Sequence, residues 1–369
     1  MTKTRIFGLD ILRAVAITCV IVSHTYPILV PTVAGDRVAF YLGYIGVEVF
    51  FLLSGFLIGG ILIQIQRDDT KTVWTKIKIF WMRRWLRTLP NYYLMLLVFY
   101  LFSIFIKKDF SATYLYYTVF SQNLFHRMPG FFLVSWSLSI EEWFYLLFPL
   151  LMFFFGTLLK TRAQKINNTI PILLTILSML IGSFIFRYME SFQSEFNWNL
   201  DFRKVVFTRL DSLAIGVLSA YLKQSHEKFW ERNKFISLSV GMICFVSLSL
   251  VFISKAIYFH NEDRLFKVFF LPLFSISISL LVPFFFSISK RSNHLFHTII
   301  TRTSLYSYSM YLSHIIIVTI LLGIVEQAKK ITPVPNFLTF VSSLLGIYFL
   351  GAVQYKYFEK PIMDLREKF

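Results

Sequence analysis

The feature that most constrains this chain is the recurrence of apolar runs of about 20 residues, the length an α-helix needs to cross a bilayer. Ten such runs are read, near residues 7–27, 42–64, 90–106, 140–159, 169–188, 205–222, 235–254, 266–288, 304–325 and 337–356. In lipid every backbone polar group must be satisfied within the protein, and a helix does this segment by segment. The expected fold is therefore all-α, a polytopic transmembrane helix bundle filling residues 1–369 as a single domain with no appended soluble domain. The first run carries Asp10 and Arg13 and lacks a small-residue cleavage pattern, so it is expected to stay as the first span rather than be removed as a signal peptide. Cys19 and Cys244 both fall in expected spans, which argues against a disulfide framework or a zinc site and reads them as small buried residues. No metal is expected.

The net charge of +17 would suggest a nucleic-acid partner in a soluble protein. Here membrane topology accounts for it, because cytoplasmic loops of membrane proteins are enriched in Lys and Arg. With the N-terminus inside, 23 of the 37 basic residues fall on inner segments and 13 on outer ones, Arg13 lying within a span. Both termini are therefore expected in the cytoplasm, a bacterial cytoplasmic membrane is the expected location, and no nucleic-acid partner is expected.

Ionisable residues inside a span are expensive and normally face a bundle interior or a watery cavity. In FGLDILRAVAITCVIVSHTYP, Arg13 and His24 are 11 residues apart and return to the same helical direction within roughly 20°, with Asp10 on the same face. Asp10 and Arg13 form either a structural pair or part of a site. In GVEVFFLLSGFLIGG, the small residues Ser54, Gly55, Gly59 and Gly60 allow either close helix packing or a channel wall, and Glu48 is an outer carboxylate. Arg83, Arg84 and Arg87 are read at the end of a basic cytoplasmic loop, before Pro90 opens the third span, and offer planar donors suited to phosphate or membrane anchoring. The stretch 107–134 is an external excursion that either lies along the interface or dips back into the bundle. Glu141 and Glu142 stand at the outer start of the fourth span, Glu141 sharing a side with Ser137 and Tyr145. Arg209 and Asp211 read as a salt-bridged hinge or a sugar-binding pair, and His314, three residues after Tyr311, as a hydrogen-bonded core histidine or a ligand.

These groups separate by side, with Arg13, Arg83, Arg84 and Arg87 inward and His24, Glu141, Glu142, Arg209 and Asp211 outward. Arg13 and His24 lie roughly 16 Å apart along the axis, so they serve different parts of one long ligand or two ligands. A histidine positioned by a carboxylate is the usual base for removing a hydroxyl proton.

The joint order of LDILRAVAITCVIVSH, FFLLSGFLI, RRWLRTLP, WSLSIEEWFY, RLDSLAIG, SYSMYLSH and FEKP resembles the acyltransferase-3 family of integral membrane acyltransferases. The resemblance implies transfer of an acyl group, commonly acetyl, from cytoplasmic acyl-CoA to a hydroxyl of a surface or exported glycan. By it, His24 is the catalytic histidine, Arg13 its partner arginine, Arg84 and Arg87 the donor-site pair, and Glu141 the acidic position of the WSL motif. The expected mechanism docks coenzyme A phosphates at Arg13, Arg83, Arg84 and Arg87 and runs the pantetheine arm past Ser54 and Gly55. His24, helped by Glu141, then activates the acceptor, with Asp10, Glu142, Arg209, Asp211 and His314 as candidate acceptor contacts. Direct transfer and a covalent acyl-enzyme remain open. Expected partners are acyl-CoA, a glycan or lipid-linked glycan and membrane lipid, the acceptor being acylated either directly or through a separate extracytoplasmic transferase. The alternative is a transporter of a glycan, lipid or proton-coupled solute; a non-catalytic scaffold leaves the buried charges unexplained.

Overall fold

The computed structural model describes residues 5–67, 72–108, 111–159, 169–193, 197–255, 264–289, 295–328 and 336–368. Of the inner basic residues counted above, Lys3, Lys71, Lys160, Arg162, Lys165, Lys290 and Arg291 lie outside them. No strand occurs among the described residues. The helices are α1 (Phe7–Leu29), α2 (Val33–Arg67), α3 (Val73–Phe102), α4 (Ser135–Leu158), α5 (Ile170–Glu190), α6 (Leu210–Ser225), α7 (Glu227–Arg232), α8 (Lys234–Lys255), α9 (Arg264–Ser279), α10 (Val282–Phe286), α11 (Leu295–Ala328), α12 (Asn336–Gln354) and α13 (Lys360–Asp364). Nine helical segments among the described residues are long and apolar enough to cross a membrane. The protein is a multi-pass membrane protein. The remaining expected crossing, α6, has 16 residues, about 24 Å of helix, and most of its side chains are buried by neighbouring helices.

Helices α2 and α6 meet through glycine. A Cβ at Gly55 would overlap the carbonyl oxygen of Leu213, and one at Gly216 would overlap the carbonyl oxygen of Leu52. This is the close approach that small residues permit between membrane helices. The packing reading of Gly55 and Gly59 therefore holds, Gly59 lying against Val217. Next to this contact Arg209 Nη2 reaches both oxygens of Glu48 at 2.6 Å, and two residues on Asp211 meets Arg187 Nη2 at 2.7 Å. All four side chains are within 1% of complete burial. Glu48 is thus an interior counter-ion for Arg209 rather than an outer carboxylate.

Helix α3 starts 17 residues earlier than the third expected span, with Thr72 capping its N-terminus by accepting from Thr75 N at 3.3 Å. The arginine cluster lies on this helix rather than in a loop, and Pro90 falls inside it. At the inner end, Glu359 accepts from Ser309 at 2.5 Å and Asn91 at 3.2 Å, while Gln354 donates to Asn91 at 2.5 Å. This network ties α3 to α11 and to the turn following α12, and so sets the rotation of α3.

The stretch after α3 dips back. Ser139 and Trp143 of α4 donate to the Phe120 carbonyl at 2.5 and 2.9 Å, and Asn123 donates to the carbonyls of Trp136 and Lys204 at 3.0 and 2.6 Å. Irregular backbone is tolerated at membrane depth when protein partners satisfy it in this way. Both cysteines are free, and Cys244 is exposed on α8 instead of buried.

Candidate active site

Two cavities lie end to end in the bundle. The inner one, about 90 Å³, is lined by Arg13 of α1, Ser54 of α2, Arg84 and Arg87 of α3, and Glu141 of α4. The outer one, about 210 Å³, is lined by His24, Trp136, Asn199, Arg203 and Lys204. Val47 and Tyr311 line both. The Tyr311 hydroxyl donates to the Val134 carbonyl at 3.0 Å and is hydrogen-bonded to Ser137 Oγ at 2.6 Å, which holds the ring across the junction.

The inner cavity owes its charge to the helix period. Arg84 and Arg87, three apart, turn to one side of α3, whereas Arg83 turns outward and donates to the Arg366 carbonyl at 3.4 Å. Arg83 therefore leaves the expected donor set. Three guanidiniums line this cavity against one lining carboxylate, Glu141. Arg84 stands 3.6 Å from Glu141 and stacks on the Tyr145 ring at 4.2 Å. The Tyr145 hydroxyl is hydrogen-bonded to Arg84, Glu141 and Ser54, and Ser54 also donates to Glu141 at 3.0 Å. Among the described residues Arg13 and Arg87 have no hydrogen-bond or ion-pair partner for their side chains. An enclosed cluster of this kind is suited to an anion such as phosphate.

The outer cavity holds His24, whose ring is exposed toward it. Behind it sits His314, 0% exposed, with its ring centroid 4.9 Å from that of His24 and its Nδ1 donating to the Tyr311 carbonyl at 2.6 Å. That bond fixes the His314 tautomer, since a carbonyl only accepts. His314 supports the His24 ring and does not line the cavity. The expected partnership of His24 with Glu141 is not formed: Glu141 lies on the inner side of the Tyr311 junction, because α4 begins at Ser135 and carries it more than one turn inward.

Other expected acceptor contacts are placed elsewhere. Asp10 is paired with Arg5 at 2.6 Å and accepts from Ser304 at 2.8 Å; it does not pair with Arg13 and lines neither of the two cavities. Glu142 is buried against Thr88 and Trp85 of α3. Arg209 and Asp211 do not pair with each other; each is consumed by a different helix, and neither lines either of these two cavities. The sequence reading missed Arg203 and Lys204, adjacent cations just upstream of the RLD motif, and undervalued Tyr145 and Tyr311. Among the described residues no group of three or more His, Cys, Asp or Glu is placed to hold a metal ion.

A helical membrane bundle with an arginine-lined inner chamber meeting a histidine-lined outer one defines a class, the multi-pass proteins with a site enclosed within the bundle. The chain belongs to the acyltransferase-3 family, whose acyltransferase-domain model matches residues 6–353. A Staphylococcus aureus (strain COL) protein provisionally named an O-acetyltransferase is 28% identical over 380 residues, covering 96% of this chain and 56% of the relative. Peptidoglycan O-acetyltransferase OatA of Listeria monocytogenes is 26% identical over 346 residues, covering 87% and 51%. O-acetyltransferase OatA of Staphylococcus aureus (strain NCTC 8325) is 26% identical over 377 residues, covering 96% and 57%. The chain spans about half the length of these relatives. No solved structure matches it.

Proposed function

We propose that this protein is a membrane O-acetyltransferase that moves an acetyl group from acyl-CoA on the inner side to a hydroxyl of a cell-envelope glycan on the outer side. The observation that carries this reading is the pair of chambers that meet at Tyr311 and Val47. Unpaired Arg13 and Arg87, with Arg84, take the donor's phosphates, and the acyl thioester reaches the junction past Ser54. Gly55 is packed on α6 and takes no part.

In the reaction so read, His24 receives the acceptor hydroxyl proton as the hydroxyl oxygen bonds to the thioester carbonyl carbon. The carbon–sulfur bond then breaks, and the proton passes to the thiolate to give free coenzyme A. His314 holds the His24 ring, while Glu141, Tyr145 and Ser54 hold Arg84. The name of the Listeria relative makes peptidoglycan the first acceptor to try.

Purified protein given radiolabelled acetyl-CoA and cell-wall glycan fragments is expected to release coenzyme A and label the glycan. His24→Ala should lower the rate by about 10²–10⁴-fold, the usual contribution of a general base, with the protein level unchanged. A carrier without chemistry would release no coenzyme A, and full activity in His24→Ala would remove the histidine from the mechanism.

A further inference from the structure

The outer chamber contains two cations that the acetyl-transfer chemistry does not use. Arg203 is 6% exposed and stacks near the rings of Trp136, Tyr44 and Phe40 at 5.0, 5.6 and 5.6 Å. Its Nη1 donates to Asn199 at 3.0 Å and its Nη2 to the Gly43 carbonyl at 3.2 Å, both neutral acceptors, and its buried Nε has no partner. Lys204 follows it into the same chamber, its backbone fixed by Asn123, and among the described residues its ammonium has no hydrogen-bond or ion-pair partner. The neighbouring acids are already engaged: Glu48 by Arg209 at 2.6 Å, and Asp201 by Arg127 at 2.5 and 2.8 Å and by Asn197 N at 2.6 Å. Burial of this kind disfavours the charged forms, and the Lys204 ammonium is lowered to about 8 and the Arg203 guanidinium to about 10. Two enclosed cations without a counter-ion, beside the exposed His24 ring, leave a place for a negative ligand.

We infer that Arg203 and Lys204 form an anion subsite of the outer chamber, which selects an acceptor sugar bearing a carboxylate or phosphate close to the hydroxyl presented to His24. The inference rests on the acyltransferase reading only in calling its occupant the acceptor; the subsite itself rests on the chamber's geometry. Phe40 and Trp136, which line the chamber with Arg203, offer apolar surface to the face of a sugar ring, and the cations suit its charged substituent.

The binding arm of the test needs no donor. The full chain in nanodiscs of zwitterionic lipid is titrated with matched soluble probes: a hexuronate disaccharide against its neutral methyl ester, and a hexose disaccharide with and without a phosphomonoester. At least one charged probe is expected to bind about tenfold or more tightly than its neutral twin, as a charge-assisted contact predicts. Which pair shows the gap tells carboxylate from phosphate. Because the Arg203 side chain also clamps Gly43 and its loss could disturb folding, the variant used is Lys204→Gln, whose side chain bonds nothing in the fold. Lys204→Gln should cut the preference to about threefold or less, and Lys204→Arg should keep it. Equal binding of charged and neutral probes in both pairs, or an unchanged preference in Lys204→Gln, would overturn the subsite. A chain that sorts charged from neutral sugars yet never releases coenzyme A from acetyl-CoA would keep the subsite and overturn the transferase reading. One that acetylates both members of each pair equally, with equal affinity, would do the reverse.

Discussion

Arg187 and Arg209 hold their charges against carboxylates at 2.7 and 2.6 Å, whereas Arg13 and Arg87, in the same bundle, have no such partner among the described residues. The first pair joins α5, α6 and α2 and lines neither chamber; the second lines a chamber that has room for a ligand. The difference teaches that a membrane arginine is assigned by what it is left facing. A guanidinium already matched by a carboxylate joins helices, and one left unmatched beside a cavity is the candidate for an anion from outside the chain.

The largest effect that would break this comparison is on folding. Arg209→Ala strands Glu48 in the interior, and removing one partner of a buried pair typically costs about 3–5 kcal/mol. The expected result is a strongly lowered melting temperature and yield in detergent, with much of the loss recovered in the double variant Arg209→Met with Glu48→Leu. A mild melt for Arg209→Ala would place the pair with the ligand-binding arginines. Next, Arg87→Ala should fold normally and weaken acetyl-CoA binding by about 10–100-fold, the range of a lost hydrogen bond between charged groups, in an equilibrium titration. Arg83→Ala, its outward-facing neighbour, serves as the control and should leave that affinity within about threefold, as for an exposed side chain. Equal losses in the two variants would mean that the α3 cluster acts through bulk charge.

The smallest effect concerns the outer chamber, where the unpaired cations differ from the inner ones in that one titrates within reach. The Lys204 ammonium, lowered to about 8 by burial and by Arg203, is charged below that pH and neutral above it. Binding of an anionic probe should therefore be full at pH 7 and fall a few-fold as pH rises through about 8, the Arg203 guanidinium keeping its charge throughout. His24 faces the same chamber, so the comparison is made against Lys204→Gln, in which the step near pH 8 should vanish. For stability the sign is opposite: the unfolded chain holds more protons than the folded one between about pH 8 and the usual lysine value of about 10.4, so this residue's destabilisation is full below 8 and is relieved as pH rises through that window.

The spans were legible because apolar length is a one-dimensional property, and all ten expected crossings correspond to helices. Their ends were less so: Val73 to Leu89 is amphipathic and basic, which reads as a loop until Thr72 is seen capping a helix that continues through Pro90. In the site, the shared face of Arg13 and His24 and the pairing of Arg84 with Arg87 followed from helical spacing. What spacing could not supply was the relative depth of different helices. Glu141 looked like a neighbour of His24 because both sit near outer helix ends, yet α4 carries it inward to Arg84. Arg209 and Asp211 looked like a pair at two residues' separation, while their actual partners, Glu48 and Arg187, are 161 and 24 residues away in sequence. Contacts of that range depend on how helices dock, and Gly55 and Gly216 reveal the docking only after it is known.

The Tyr311 and Val47 barrier also has an electrical meaning. Where water fills a chamber on each face of a membrane, the voltage falls mainly across whatever thin wall divides them. Each elementary charge driven through such a wall works with or against about 2.3 kcal/mol per 100 mV, whereas a neutral acetyl group handed over at that point does none. In the proposed transfer, Tyr311 and Val47, shared by both chambers, mark where a neutral group would cross while charged ligands stay on their own sides.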